Sequence, residues 1–307
     1  MRIHDVDLRL LRVFAAVAHS GGFTAAADRL GIGRPTVSSH MADLEARLGV
    51  RLCERGRSGF SLTENGARVL ELAQQLFAGV EEFAAEIGAL QGHLSGDVNI
   101  GQIDYMSSLH EYRMVEVVRE FCQEAPGVAC HVQVFPGEEV VRQVLDGRLH
   151  LGIVSGSEKT TGLDATAVLQ EDLYVYCGRT HPLYERSDAR ISLADLDGAR
   201  LAGEIARGAR LRRQSREPGL DARANNLETV LLLIRSGHYI GYLPEHFAES
   251  WVEAGELRPL KSATSYASGE LLVVMRKDWR RVPQLARFVT HFMRWHKPLV
   301  KTKPPAA

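Results

Sequence analysis

The sequence predicts an α + α/β chain, with a helical head, one long helix and a body in which strands and helices alternate. Three observations carry this. Short helical periods separated by glycine fill the first fifty residues; an apolar seam stepping by three and four follows residue 63; and strand–helix alternation begins near residue 97. The chain has 307 residues, about two domains at ~150 residues each. With 45% hydrophobic and 24% charged residues it is ordinary for a globular protein, which excludes disordered, collagen-like and membrane-embedded classes.

In the head, residues 7–18 place Leu8, Leu11, Phe14, Ala15 and Ala18 on one helical face, and Gly21-Gly22 ends that helix. Thr24 opens a second short helix over residues 25–30, and residues 31–33 (Gly-Ile-Gly) form a tight turn. Pro35 suits the first position of a third helix running to Leu48, with Val37, Met41, Leu44 and Leu48 inward and Gly49 closing it. Residues 55–60 read as a hairpin tip between strands 50–53 and 60–62. Thr63 is a natural N-cap for the long helix, with Glu64 favouring its dipole. Its seam comprises Val69, Leu72, Leu76, Val80, Phe83, Ile87, Leu90 and Leu94. Coiled-coil dimerisation through Leu72, Leu76, Val80, Phe83 and Ile87 is the economical reading; the alternative is a core helix packed on its own chain.

Residues 92–96 (GHLSG) read as a hinge. Beyond it, strands are expected at 98–101, 129–135, 150–154, 169–177, 200–202, 240–243 and 271–276, and helices at 107–122, 138–146, 227–236 and 282–295. Such alternation predicts a parallel sheet. Residues 297–307 are expected to be a disordered tail.

Charge is balanced overall, 37 basic against 38 acidic residues, yet residues 1–62 sum to +3 and residues 63–94 to −4. A basic head suits a polyanionic partner. Cys53, Cys122, Cys130 and Cys177 form no CxxC and no metal spacing with His, so buried thiols in a reducing compartment are expected, with Cys122 and Cys177 inside apolar runs. A Cys122–Cys130 disulfide would require the two Cα atoms to come within ~7 Å. Asp5, Asp7, Arg9 and Arg12 interrupt the first apolar stretch, so a signal peptide is not expected, and no run approaches a membrane span. A cytoplasmic location without a membrane partner follows as the expectation.

Ala27, Gly31 and Val37 have the small–glycine–aliphatic spacing of a helix-turn-helix. The small residue admits close helix approach, glycine permits the turn, and the aliphatic residue locks the angle. The third helix then has an exposed N-terminal end suited to a major groove. Thr24, Arg34, Pro35, Thr36, Ser38, Ser39 and His40 are candidates for DNA contact, and Arg55 and Arg57 suit phosphate or minor-groove contact.

The run GGFTAAADRLGIGRPTVSSHMADLEARLGVRLCERGRSGFSLTENG resembles the winged helix-turn-helix of the LysR-type transcriptional regulators. Residues 181–183 (His-Pro-Leu), 193–196 (Leu-Ala-Asp-Leu) and 236–244 (SGHYIGYLP) resemble landmarks of that family's effector domain. The resemblance implies a periplasmic-binding-protein-like domain of two α/β subdomains joined by two crossovers. It also implies a small-molecule effector in the cleft, double-stranded DNA with a two-fold operator, RNA polymerase, a dimer of dimers, and no cofactor or metal. The implied domains are residues 1–62 for DNA binding, 63–96 for the linker helix and hinge, and 97–296 for the effector. Within the last, subdomain I is about 97–163 and 270–296, and subdomain II about 164–269. Two departures stand out. Gly33-Arg34 precede Pro35 and Ser38-Ser39-His40 follow it, where the family usually has Gln before the proline and Ser-Arg beyond it. His150 stands where the family tends to have Asp, either as a satisfied, partly buried side chain or as a pH sensor.

In a two-lobed α/β domain, ligands bind where loops leave strand ends and helix N-termini face the crevice. The candidates are Gln102, Ile103, Asp104 and Ser107, then Gly137 and Glu138, Ser155, Gly203 and Glu204, and Asn225 and Asn226. Helix N-termini favour anions, yet Asp104, Glu138 and Glu204 would add negative charge, which favours a neutral, aromatic or cationic effector unless these acids face solvent. Arg207, Arg210, Arg212, Arg213 and Arg216 read as a pocket for an acidic ligand or as a solvated loop or subunit contact. A solute-binding protein would carry an export signal and no such head, and an enzyme reading finds no GxSxG, HExxH, P-loop or GxGxxG.

Overall fold

The structure, a computed structural model, describes residues 4–56, 59–90, 94–156, 162–204, 220–260 and 266–299. The chain divides into two compact units, Met1–Ala84 with Asp146–Arg148, and Ala85–Leu145 with Leu149–Ala307. The predicted tail and the arginines at 207, 210, 212, 213 and 216 lie outside the described residues, apart from positions 297–299.

The first unit begins with α1 (Asp5–His19), α2 (Phe23–Leu30) and α3 (Arg34–Leu48). Its core takes Leu10, Leu11, Val13, Phe14 and Val17 from α1 rather than the expected Leu8, Ala15 and Ala18, which are only partly buried. The run is apolar on several faces, and the bulkiest side chains take the interior. α2 starts one residue before Thr24, because Phe23 is buried against the edge of the Phe60 ring at 6.1 Å between centroids. Gly31 closes α2 in the left-handed region at φ 65°, a conformation that glycine adopts without steric cost. Ala26, Ala27, Val37, Met41 and Leu44 complete the interior, as the helix-turn-helix spacing requires.

A hairpin follows, β1 (Cys53–Gly56) antiparallel to β2 (Gly59–Leu62), with Arg55 opposite Phe60. α4 (Glu64–Leu90) is capped as expected, since the Thr63 hydroxyl accepts the Gly66 N–H at 2.9 Å. The same hydroxyl donates to the Arg51 carbonyl at 2.7 Å, tying helix to hairpin. Here α4 and the segment entering β1 touch so closely that a Cβ at Gly66 would clash with the Leu52 carbonyl oxygen.

The second unit is built on a mixed sheet rather than the parallel one expected. Its strands are β3 (Gly96–Gln102), β4 (Val128–Val134), β5 (Leu151–Ser155), β6 (Leu163–Gly178), β9 (Ile240–Pro244), β10 (Leu257–Pro259) and β11 (Tyr266–Arg276). The order is β10-β6-β11-β5-β3-β4, with β9 also on β6. β3 pairs in parallel with β4 and β5, but β11 enters between β5 and β6 antiparallel to both, and β9 and β10 are antiparallel to β6. β6 and β11 are the two longest strands and pair with each other along their length. A separate parallel pair is formed by β7 (Ala202–Glu204) and β8 (Ala222–Ala224).

Helices α5 (Met114–Glu124), α6 (Gly137–Leu145), α7 (Leu193–Asp197), α8 (Leu227–Arg235), α9 (Glu245–Glu253) and α10 (Pro283–Trp295) cover the sheet. The helix expected over 107–122 is a 3-10 turn at Met106–Ser108 followed by α5, because Leu109 is buried and the Tyr112 hydroxyl donates to Gln102 at 2.8 Å. α5 turns Val117 and Phe121 inward and leaves Cys122 exposed, against the expectation of a buried thiol; Cys53 and Cys177 are buried. Burial and the neighbouring Cys122 thiol push the half-buried Cys130 up to about 11. His150 is a satisfied side chain: its Nδ1 accepts the Asn99 N–H at 3.0 Å, and burial, then the Arg276 charge, bring it down to about 4.

Candidate DNA interface and effector cleft

The orientation of α3 is set from its far end. Asp7, in the first turn of α1, is fully buried and receives both Arg47 Nε and Arg47 Nη2, the latter at 2.9 Å, from the last turn of α3. The same carboxylate accepts the His4 N–H at 2.8 Å. The Arg47 hydrogen bonds, then the His4 N–H, hold this carboxyl down at about 2. Nearby, Glu45 accepts the N–H groups of Leu52 at 2.7 Å and Cys53 at 3.3 Å, so α3 also sets where the hairpin starts. Sequence reading passes over both contacts, since a lone Asp and a lone Arg forty positions apart give no local signal.

With that end fixed, the N-terminal turn of α3 faces outward. Arg34, Pro35, Thr36 and Ser39 are exposed, as is Thr24 on α2, while Ser38 and His40 are half-buried. The His40 Nδ1 is shielded and has no partner among the described residues. Exposed Arg29 and Arg51 add positive charge that the motif reading does not single out. Arg55 is placed by its backbone on β1, and Arg57 lies outside the described residues.

The seam of α4 splits in two. Val69, Leu70, Ala73, Leu76 and Phe77 pack on the head's own core, so Leu76 belongs in part to its own chain. Leu72, Val80, Phe83, Ile87 and Leu90 form an exposed stripe, with Phe83 65% exposed. Among the described residues nothing covers this apolar face.

In the second unit, the loop after β3 does not project freely. An Asp104 carboxylate oxygen accepts the N–H groups of Leu227 at 2.7 Å and Glu228 at 3.1 Å, at the start of α8. Asn226 caps the next donor, Thr229 N–H, at 2.9 Å. The structure thus brings Asp104 and Asn226 together. Ile103 is part of the hydrophobic core, so its side chain is not a lining residue. The Gln102 side chain is taken by Tyr112. Ser107, Glu138 and Asn225 are exposed, while Gly137, Ser155, Gly203 and Glu204 are half-buried at strand or helix ends. Tyr105, inside the 102–107 loop to which the sequence points, donates its hydroxyl to buried Glu171 at 3.3 Å; missed by sequence reading is His246, 2.9 Å from the Ser108 hydroxyl.

Residues 8–67 match the family described as "Bacterial regulatory helix-turn-helix protein, lysR family", and residues 91–297 match "LysR substrate binding domain". The chain belongs to the LysR family. It is 37% identical over 289 residues to the HTH-type transcriptional activator BauR of Pseudomonas aeruginosa, covering 94% of this chain and 95% of that one. It is 28% identical over 270 residues to the SDS degradation transcriptional activation protein of a Pseudomonas species, covering 85% and 87%. The fold is that of CbnR, a LysR family transcriptional regulator, at a TM-score of 0.64 and 24% identity over 94% of this chain and 99% of that one. A full-length OxyR variant from Pseudomonas aeruginosa gives 0.63 at 19% identity, covering 99% and 100%. This LysR-family chain is therefore a DNA-binding transcriptional regulator with an effector-binding domain of two α/β subdomains.

The buried pair gives a testable pH dependence. Asp7 at about 2 in the folded chain lies below the ~3.9 of an unfolded carboxyl, so its stabilisation is complete above that range and is lost as pH falls toward the folded value. Asp7→Asn should lower the melting temperature at neutral pH, with the gap to wild type closing on acidification through this window. A gap that stays constant down to the folded value would contradict the assignment.

Proposed function

We propose that two chains pair through the exposed stripe of α4 and present two α3 helices to a two-fold operator. The observation that carries this is the outward N-terminal turn of α3, held by Asp7–Arg47 while its opposite face is buried. Arg34, Pro35, Thr36, Ser38, Ser39 and His40 face the major groove, Thr24 the backbone, and Arg55 and Arg57 the phosphates or minor groove. The chain partitions as 1–62 for DNA binding, 63–96 for pairing and hinge, and 97–296 for the effector.

A small molecule binds between the two α/β subdomains and favours one subunit arrangement over another, which changes DNA geometry and contact with RNA polymerase. Pairs of dimers form the working assembly in the cytoplasm; among the described residues no helix is long and apolar enough to cross a membrane. BauR and the SDS degradation protein are both named activators, which supports activation as the direction of control here.

Selection from a random duplex pool, followed by affinity against salt, tests the reading. A two-fold site with a steep salt slope is expected. Arg34→Ala should cost about 1–3 kcal/mol at that site and far less on random DNA. No enriched site, or an equal loss on both DNAs, would overturn the base-reading role. For the pairing face, Leu72→Glu with Phe83→Glu avoids Leu76, which supports its own core. Sedimentation should show monomers with weak operator binding; an unchanged oligomer would refute pairing through this stripe.

A further inference from the structure

The loop at residues 103–108, which follows β3, is fastened by three side chains to residues far along the chain. Asp104 takes the Leu227 and Glu228 N–H groups. The Tyr105 hydroxyl donates to Glu171, with its ring 5.6 Å from that of Phe247. Ser108 meets His246 Nδ1 at 2.9 Å and donates its one proton to the Tyr105 carbonyl at 2.7 Å, so it accepts from the imidazole. Tyr105 holds φ at 55°, the one non-glycine in the left-handed region among the described residues. A backbone held there against its steric preference needs the surrounding contacts to keep it.

The consequence falls on α8. Four N–H groups at a helix start have no partner within the helix's own regular ladder and would serve an anion. Here Leu227 and Glu228 are taken by Asp104 and Thr229 by the Asn226 side chain, while the Val230 N–H begins the helix's own ladder on the Asn226 carbonyl at 3.3 Å. The three free donors inside the first turn are thus already engaged.

We propose that Asp104 is an internal anion that occupies the start of α8, latches the two subdomains on that side, and determines specificity by excluding carboxylate effectors from this corner. A ligand group that does face Asp104 is a hydrogen-bond donor or a cation. This deepens the effector reading and rests on it.

The test is chemical rescue in the full-length chain. Asp104→Ala removes the acceptor and leaves room for formate; Asp104→Asn keeps a neutral acceptor in place. Melting temperature is followed with sodium formate and with sodium chloride at equal ionic strength. The alanine variant should melt lower than wild type and recover more than half of the loss, saturably, with formate and not with chloride. Wild type and the asparagine variant should show no saturable response, and the asparagine variant should melt between the other two. Should the alanine variant fold only in formate, the rescue is shown directly. Equal formate responses in wild type and the alanine variant, or a loss that formate does not reverse, would overturn the proposal. Asparagine melting as low as alanine would do the same. The readout needs no effector, so its failure is distinct from that of the effector reading, which would appear as operator binding that no small molecule alters.

Discussion

Asp7 is a carboxylate without solvent, and its burial is supportable only because Arg47 and the His4 N–H surround it. Removing one member of such a pair leaves an uncompensated buried charge or a stranded donor, which is why these contacts constrain geometry more than they add net stability. The constraint here is directional. It joins the first turn of α1 to the last turn of α3, and Glu45, a few residues earlier on α3, fixes the entry of the hairpin. Thr63 and Gly66 then carry the same frame into α4. The exposed N-terminal turn of α3, the hairpin and α4 are thus positioned in sequence from one buried charge.

The effector-binding unit solves a related problem in the opposite sense. Its polar side chains tie segments far apart in the chain, the loop after β3 to the start of α8 and to β6. The Asp104 and Asn226 oxygens occupy the α8 start from both sides of the junction, and Glu171 and His246 receive the same loop slightly farther along. A ligand entering such a cleft meets bonds already made, and its effect is the difference between what it forms and what it breaks.

Much of this is legible in the sequence where the signal is local. Gly31, Gly49 and Thr63 are read from turn and cap chemistry alone and occupy the expected places, while Pro35 stands one position into α3, which starts at Arg34. The interior of α3 follows from its 3.6-residue period. The face of α1 does not, because a run apolar on several sides supports more than one stripe. The sheet departs from the parallel expectation because alternation reports on consecutive units, whereas β11 arrives late and inserts between β5 and β6. Asp104 is marked as an acid in the cleft, but sequence cannot show that it faces the Leu227 N–H, over a hundred positions away. Asp7 with Arg47 is invisible for the same reason.

The most direct measurement is a double-mutant cycle on Asp7→Asn and Arg47→Met in the full-length chain, read by both melting temperature and affinity for a selected operator. If the pair sets the presentation of α3, the double variant will lose no more than the worse single variant, and the losses of DNA affinity will follow the same non-additive pattern. Additive losses, or single variants with unchanged operator affinity, would contradict the account.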